Sequence, residues 1–272
     1  MLTQIEKGRI FRALHERDEA FVIPNPYDAG TARLLERLGF EALATTSAGF
    51  AFTVGRQDNK VDRERVLQHC AEIASATDLP VSADLGNCFG DAPEMVAETI
   101  MLAGQNGLVG GSVEDSSGHA DDPIYKFELA VERVRAAAEA ARSLPFKFTL
   151  TARAENYLVG RPDLADTINR LQAYADAGAD VLFAPGLRSK EDIAAVVKSI
   201  DRPVNVIMGL QGVNLSVAQL SAIGVKRISV GSALARAALT GFLRAAQEIK
   251  TQGTFAFADE AISFREINDI FA

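Results

Sequence analysis

Several residue types that would identify a binding or targeting role are scarce in this sequence of 272 residues, which has no tryptophan, two cysteines and three histidines. Cys70 and Cys88 lie far apart and form no Cys-x-x-Cys motif, so a zinc finger or a disulfide framework is excluded. No apolar run approaches the roughly 18 residues of a membrane span, and the charged N-terminal segment has no apolar signal-peptide core. We therefore expect a cytoplasmic protein that binds no membrane.

Positive charge is also scarce, because 28 Lys and Arg residues stand against 36 Asp and Glu residues, for a net charge of -8 and a pI near 5.0. Nucleic acids are held by clustered Lys and Arg, so we do not expect a nucleic acid partner. With 48% apolar and 24% charged residues, the chain has enough apolar material for a large core. A pocket for a small anion remains compatible with the net charge.

What the sequence does contain is an eightfold alternation of strand-like and helix-like segments. Apolar, β-rich runs begin at Phe21, Ala42, Val81, Val109, Phe148, Val181, Pro203 and Arg227. Each is followed by a segment with apolar residues at three- and four-residue spacing, and four of these segments end on a glycine suited to a helix C-terminus. The pattern predicts an α/β fold of the (β/α)8 TIM-barrel type. The alternative is an open doubly wound sheet, but no Gly-x-Gly-x-x-Gly follows the first strand.

No linker-like segment interrupts the alternation, so we expect residues 1–272 to form one barrel domain, with 250–272 as a C-terminal helical extension. This extension, TQGTFAFADEAISFREINDIFA, is rich in aromatic and isoleucine residues. Exposed aromatic surface commonly marks an interface, so the extension predicts a homo-oligomer.

Charged residues cluster at the predicted C-terminal ends of the strands, where barrel enzymes carry their active sites. The acids Asp58, Asp84, Glu114 and Glu155 are expected to converge around Arg153. Such acids repel one another without a cation, and carboxylate oxygens suit Mg²⁺ or Mn²⁺. The alternative is structural: Asp58 would begin the second helix as its N-cap, and Arg153 and Glu155 would form a plain ion pair.

Other polar residues are weaker candidates. His119, in the loop after the fourth strand, is a possible acid or base, or a solvated loop residue. Gly231 and Ser232 precede a helix and are suited either to a phosphate or to an ordinary tight turn. Cys88 is a conceivable thiol without a sequence-adjacent histidine. His15, His69 and Cys70 fall inside helical patterns and are read as packing or surface residues.

Seven motifs together resemble the phosphoenolpyruvate mutase/isocitrate lyase superfamily: PNPYDAGTARLLERLGF, TSAGFA, VGRQD, VSADLGNCFG, GGSVEDS, LTARAEN and GADVLFAPG. They appear in this order between about Pro24 and Gly231. The resemblance implies a (β/α)8 barrel whose eighth helix is swapped between paired subunits, in a tetramer built as a dimer of such dimers. It also implies a small carboxylate substrate.

The resemblance implies roles for individual residues. Asp84 corresponds to the direct Mg²⁺ ligand, and Asp58, Glu114 and Asp115 to acids around the metal's water shell. Arg153 corresponds to the arginine that binds the substrate carboxylate, and it is expected to be catalytic together with Asp58 and His119. Further substrate contacts are expected from the loop after the second strand and from neighbouring strand ends, namely Ser47, Ala48, Gly49, Tyr27, Asn87 and Glu155.

Two departures from the family pattern distinguish this chain. Gly86 stands where a second acid is usual, and the loop SSGHADDPIY replaces the Lys-x-Cys-Gly-His loop of the lyases. The sequence therefore predicts a subgroup of the superfamily without the lyase Cys-Gly-His loop.

Three functions remain open at this point. The first is a Mg²⁺-dependent lyase or decarboxylase that acts on a small 2-oxo or 2-hydroxy acid through an enolate and gives a pyruvate-like product. The second is a phosphonomutase acting on phosphoenolpyruvate or carboxyphosphonoenolpyruvate. The third is a catalytically retired barrel that binds a small acid.

Overall fold

A parallel β-sheet of eight strands forms the centre of the computed structural model, which describes residues 2–272. The strands are β1 (Phe21–Ile23), β2 (Leu43–Ala44), β3 (Val81–Asp84), β4 (Gly110–Glu114), β5 (Thr149–Arg153), β6 (Val181–Phe183), β7 (Val204–Ile207) and β8 (Arg227–Ser229). The last strand pairs with the first, in the register Phe21 to Arg227. At the junction of β1 and β2, Ala44 N donates to Pro24 O at 3.1 Å. The predicted (β/α)8 TIM barrel is confirmed.

Helices alternate with these strands. They are α1 (Gln4–His15), α2 (Ala29–Arg37), α3 (Ser47–Thr53), α4 (Arg63–Ser75), α5 (Pro93–Gln105), α6 (Phe127–Ser143), α7 (Leu164–Ala177), α8 (Lys190–Lys198), α9 (Val217–Ala222), α10 (Ala233–Gln252) and α11 (Phe264–Phe271). The glycines predicted at helix ends, Gly39, Gly107, Gly178 and Gly224, all have φ between +85° and +109°. This left-handed conformation is accessible to glycine without strain, so each residue ends its helix and redirects the chain into the next strand.

The N-terminal end of the barrel is closed by α1, which ends at His15, a residue expected to lie in a helix. This helix begins with a capping box between Thr3 and Glu6. Its side chains Phe11 and Leu14 form one buried apolar cluster with residues at the lower ends of the strands, namely Phe21, Ile23, Ala42 and Val109. Because this end is plugged by apolar packing, only the C-terminal end of the barrel is open.

The C-terminal part of the chain leaves much apolar surface in contact with solvent. Only Ala235 is buried on α10, while Leu239, Phe242 and Leu243 are exposed on it. The last helix, α11, returns to α2, where Arg33 donates to the carbonyl oxygen of Phe271 and lies over its ring. No helix within residues 2–272 has the length and apolarity needed to cross a membrane.

Candidate active site

Four of the predicted site residues meet at the open end of the barrel around the guanidinium of Arg153. Its Nη1 lies 2.8 Å from Asp84 Oδ1, its Nη2 lies 3.0 Å from Glu114 Oε2, and its Nε lies 2.8 Å from Glu155 Oε1. The side chain of Arg153 is only 14% exposed, and that of Asp84 is 21% exposed. The convergence expected from the strand order is therefore present.

The strand register explains this convergence. Glu114 and Arg153 are opposite one another on β4 and β5, and Asp84 is opposite Ser112 on β3 and β4. Successive side chains in a strand point to opposite faces of the sheet, so residues at alternate positions share the barrel interior. Asp84, Glu114 and Arg153 consequently end three adjacent strands with their side chains on the inner side.

Asp115, predicted to lie near the metal, is directed to the other side of the sheet because it follows Glu114 directly in the chain. Its Oδ2 accepts a hydrogen bond from Tyr174 at 2.5 Å and forms an ion pair with Arg170 at 3.2 Å. Its Oδ1 accepts a hydrogen bond from Glu155 N at 2.8 Å. The side chain of Asp115 is 3% exposed and lines neither of the cavities that Asp84 lines. We correct the expectation for Asp115: its carboxylate joins β4 to α7 and faces away from Asp84 and Glu114.

Three carboxylates share a single guanidinium at this site, so negative charge is in excess. Burial raises the pKa of Glu114 well above its usual range, and nearby Glu155 and Asp84 raise it further against the pull of Arg153. Burial lowers the pKa of Arg153, but the three carboxylates outweigh this and raise it well above its usual range. The cluster would therefore be stabilised by an additional cation.

The donor set fits a magnesium-like ion bound mainly by water and substrate. Within residues 2–272, no three acid, histidine or cysteine side chains are placed to enclose a metal by themselves. Mg²⁺ in enzymes is commonly held by one or two carboxylates, keeps several waters and takes further ligands from the substrate. Asp84 and Glu114, with their uncompensated charge, match that mode of binding.

Asp58 stands on the loop between α3 and α4, with its side chain facing the barrel mouth. Burial and the charge of Asp84 raise the pKa of Asp58. The N-cap of α4 is Asp62, whose Oδ1 accepts from Arg65 N at 3.0 Å. The alternative in which Asp58 begins this helix is therefore wrong, and its carboxylate is available to the site.

The loop predicted to hold the substrate is the first turn of α3, a helix that sequence patterning missed. Ser47 N donates to Asp84 Oδ2 at 3.0 Å, and Gly49 N donates to Thr46 Oγ1 at 3.1 Å. A Cβ on Gly49 would lie 2.5 Å from Thr46 Cγ2 and 3.1 Å from the Cβ of Tyr27. Glycine thus lets this turn pack against Tyr27, and the N–H groups of Ser47 and Gly49 already have acceptors.

Two cavities open at this end of the barrel. The central one, of about 220 Å³, includes Ala48, Asp58 and Arg153 in its lining. The lateral one, of about 160 Å³, includes Asn87 and Glu114. Ser47 and Asp84 line both cavities. The carboxylate of Asp84 therefore stands where the two spaces meet.

The loop after β3 is held in an unusual backbone conformation. Gly86, Cys88 and Phe89 have φ values of +54°, +60° and +63°, a region that residues other than glycine rarely occupy. Arg133 of α6 donates to the carbonyl oxygens of Asn87, Gly90 and Asp91, and its guanidinium lies 4.2 Å from the centre of the Tyr125 ring. Arg133 thus stabilises the loop that carries Asn87.

Glu155 and His119 line neither cavity, whereas Gly231 lines the central cavity but has its N–H occupied. Glu155 is 3% exposed and holds Arg153 Nε, so it faces the arginine instead of the open space. His119 has a side chain that is 67% exposed, with Nε2 at 3.5 Å from Asp91 Oδ2 on the rim. Gly231 N donates to Asn25 Oδ1 at 2.9 Å, so an internal acceptor already occupies the N–H considered for a phosphate.

The cysteines and the two helical histidines are packing residues. Burial raises the pKa of the Cys70 and Cys88 thiols to about 12, which leaves no thiolate for nucleophilic chemistry near neutral pH. His15 and His69 are 5% and 7% exposed, and burial lowers the pKa of both. Cys88 is therefore not a catalytic thiol.

Sequence reasoning missed two arginines. Arg133 is one of several charged residues on α6, and nothing in its sequence neighbourhood distinguishes it. Arg227 is buried at the start of β8, with 5% of the residue exposed, and lines the central cavity. The sequence signal for Arg227 was its position as a charged residue at the start of the predicted strand RISVG.

The family model described as phosphoenolpyruvate phosphomutase matches residues 11–250. The chain belongs to this family, and hence to a superfamily of carbon-carbon lyases and mutases. An uncharacterized protein of Mycobacterium tuberculosis is 30% identical over 243 residues, 88% of each chain. The 2-methylisocitrate lyase of Halalkalibacterium halodurans is 26% identical over 261 residues, which cover 93% of this chain and 85% of that protein.

Three solved structures are also similar to this chain. A Burkholderia cenocepacia protein provisionally named a lyase/mutase superposes with a TM-score of 0.97 and 61% identity, covering 99% of this chain and 96% of that one. A protein of the same organism provisionally named a phosphonomutase gives 0.82 and 35%, covering 92% and 100%. Oxaloacetate acetylhydrolase in complex with its product oxalate gives 0.87 and 26%, covering 97% and 93%.

Proposed function

We propose that this protein is a divalent-metal-dependent lyase that cleaves a carbon-carbon bond in a small 2-oxo or 2-hydroxy carboxylic acid, through an enolate and with a pyruvate-like product. The observation that carries the proposal is the position of Arg153 between Asp84 and Glu114 beside a small cavity. A guanidinium binds a carboxylate, and an excess of acids around it attracts a divalent cation. The similarity to a 2-methylisocitrate lyase and to oxaloacetate acetylhydrolase supports the same chemistry.

Asp84, Glu114 and Asp58 would hold Mg²⁺ or Mn²⁺, directly or through water. When bound, the ion supplies positive charge that stabilises the enolate oxygen developing as the carbon-carbon bond breaks. Mg²⁺ is commonly held by one or two carboxylates, so the site needs no fourth one, and glycine at position 86 is compatible with metal binding.

The residues of the chain orient the substrate. Arg153 would donate to the substrate carboxylate, while Glu155 fixes its Nε and so sets the plane of the guanidinium. The first turn of α3 contributes Ser47 and Ala48 to the wall of the central cavity, beside Asp84. His119 on the rim, close to Asp91, is the candidate for proton transfer to the departing product.

The test is a panel of oxaloacetate, isocitrate, methylisocitrate, dimethylmalate and phosphonopyruvate, assayed with Mg²⁺ for release of pyruvate or glyoxylate. We expect turnover of at least one substrate, abolished by EDTA and by Asp84→Asn. Asp121→Asn is the matched control, because Asp121 is an exposed acid of the loop after β4. No turnover of any substrate, together with no Mg²⁺-dependent oxalate binding by calorimetry, would support the retired barrel instead.

Phosphonate chemistry is the second candidate. It is favoured by the 35% identity to a protein provisionally named a phosphonomutase. Incubation with phosphonopyruvate, followed by ³¹P NMR, separates it from the first. Conversion of the phosphonate signal into a phosphate-ester signal would support the mutase, and an unchanged spectrum would exclude it for that substrate.

A homo-oligomer is proposed from the apolar face of α10, and the dimer of helix-swapped dimers is the arrangement that the family resemblance implies. Leu239, Phe242 and Leu243 are 42%, 68% and 64% exposed on one helix, which is unfavourable for an isolated chain. Light scattering should give the mass of a tetramer for the native chain and a smaller mass for Phe242→Asp. Gln247→Asp, an exposed change on the same helix, should leave the mass unchanged.

A further inference from the structure

The central cavity extends below the Arg153 cluster into the barrel. Its lining includes small polar or apolar side chains of the middle part of the barrel, namely Ala44, Ser82, Ser112, Asn205 and Ser229, and it ends at Arg227. Barrel interiors are usually filled by bulky branched side chains at this depth. Small side chains at several of these positions leave a narrow space, bounded also by Ile23 and Ile207, with Arg227 at its lower end.

Arg227 is held entirely by neutral partners. Its Nε donates to Asn205 Oδ1 at 2.9 Å, its Nη2 donates to Thr151 Oγ1 at 3.0 Å, and its Nη1 lies 3.5 Å from His15 Nε2. The Nδ1 of His15 lies 2.8 Å from Phe11 O, which leaves Nε2 as an acceptor. Burial lowers the pKa of His15 to about 3, so this imidazole is uncharged near neutral pH.

Arg227 is only 5% exposed, so a buried ion pair would be expected. No carboxylate within residues 2–272 forms one with it. Burial alone lowers the pKa of its guanidinium, to about 9. A buried charge without a partner of opposite sign is costly. The guanidinium has five N–H donors, and the three contacts with neutral groups leave some of these donors free. The floor of the cavity therefore has both positive charge and unused donors.

We propose that Arg227 forms a second, deeper anion subsite, which binds one compact monoanionic group: the remote carboxylate of a bound dicarboxylate, or a free halide. The carboxylate case rests on the proposed function and selects dicarboxylic acids as the substrate class. Thr151, which contacts Arg227, lies two residues below Arg153 on β5, a separation of about 7 Å along the strand. A dicarboxylate between the two arginines would have one charged end at each.

Crystals of the native chain soaked in bromide test the subsite without metal or turnover. An anomalous peak at the Arg227 guanidinium is expected. A second soak adds Mg²⁺ and malate, with oxalate as the shorter control that reaches only the upper arginine. Loss of bromide with malate but not with oxalate, or a malate carboxylate on Arg227 itself, identifies the substrate carboxylate as the occupant. Bromide that persists beneath bound malate identifies a halide.

Absence of both bromide and a malate carboxylate at Arg227 would overturn the proposal. Because the first soak needs no substrate, a chain that lacks lyase activity but binds bromide at Arg227 would separate failure of the proposed function from failure of the subsite.

A solution measurement controls for crystal concentrations of salt. The native chain should broaden the ³⁵Cl NMR line. Arg227→Gln, whose amide can still contact Asn205 and Thr151, should cause at most half of that broadening. Arg202→Gln removes one arginine at an exposed position and should match the native chain. Circular dichroism establishes that the variants fold. Equal broadening by the two variants would contradict a subsite at Arg227.

Discussion

Arg153 Nη1 lies 2.8 Å from Asp84 Oδ1, so the arginine expected to bind substrate and the acid expected to bind metal are paired with each other. The same guanidinium also reaches Glu114 and Glu155. The three guanidinium nitrogens lie in one plane and each pairs with a different carboxylate, a fixed arrangement that the rotatable donors of an ammonium do not impose. The pairing connects the anion-binding and cation-binding halves of the proposed site.

Replacement of Arg153 by lysine tests this connection. Lysine keeps the charge but loses the planar arrangement of donors, so we expect oxalate to bind roughly 10- to 100-fold more weakly in the presence of Mg²⁺. Isothermal titration calorimetry measures this change. Arg56→Lys, on the exposed loop after α3, is the control and should keep native affinity. Native affinity in Arg153→Lys would remove the arginine from the binding site.

Arg133 should be essential for the shape of the loop after β3. In Arg133→Met, three carbonyl oxygens lose their charged donor, which we expect to cost about 3 kcal/mol of unfolding free energy. Urea denaturation measures the cost, and hydrogen exchange should show faster exchange around Asn87. Arg135→Met, on the exposed side of the same helix, should change neither quantity. Equal effects of the two substitutions would contradict the role of Arg133.

The buried imidazole of His15 predicts a loss of stability in acid. Its pKa is lowered to about 3 in the folded chain, so between about pH 6.5 and pH 3 the unfolded chain binds a proton that the folded chain does not. Stability conferred by the neutral imidazole is therefore present above the unfolded pKa and falls as the pH falls. The expected contribution is about 2 kcal/mol between pH 7.5 and pH 5.

His15→Gln has no titrating group and should lose that part of the pH dependence. Urea denaturation of the native chain and the variant at both pH values measures it. Identical pH dependence in the two proteins would show that His15 titrates normally in the folded chain.

Neither cysteine should react in the folded protein. Cys70 and Cys88 are both fully buried, with thiol pKa values near 12, so iodoacetamide at pH 8 should modify neither within the time that modifies both in urea. Mass spectrometry counts the adducts. Rapid modification of Cys88 in the native chain would show that the loop after β3 opens in solution.

Local patterns in the sequence were sufficient for the barrel. Each predicted strand is present, and Phe21, Val81, Val181 and Arg227 begin their strands as expected. Periodicity and helix-ending glycines act within a few residues, so they can be read without knowledge of the tertiary structure. The seven-residue helix α3 was missed because it is short and closely follows β2, so its residues were read as a loop.

The site was only partly predictable for the same reason. Asp84, Glu114 and Arg153 could be placed together because the C-terminal ends of parallel strands meet at one end of a barrel. Neighbours in sequence then separate: Glu114 points into the barrel and Asp115 points out to Tyr174. Strand runs can be recognised from sequence, but the side that each terminal residue faces depends on the residue at which the strand ends.

The sequence by itself determined the strand order, the family and the excess of acids near Arg153, since all of these depend on residue type and spacing. The tertiary structure alone decided which acids contact the arginine and which belong to the helical layer. It also brought Arg227, which is far in sequence from Asp84, to the wall of the cavity that Asp84 lines. Burial and pairing depend on contacts between distant segments, and those contacts exist only when the barrel has closed.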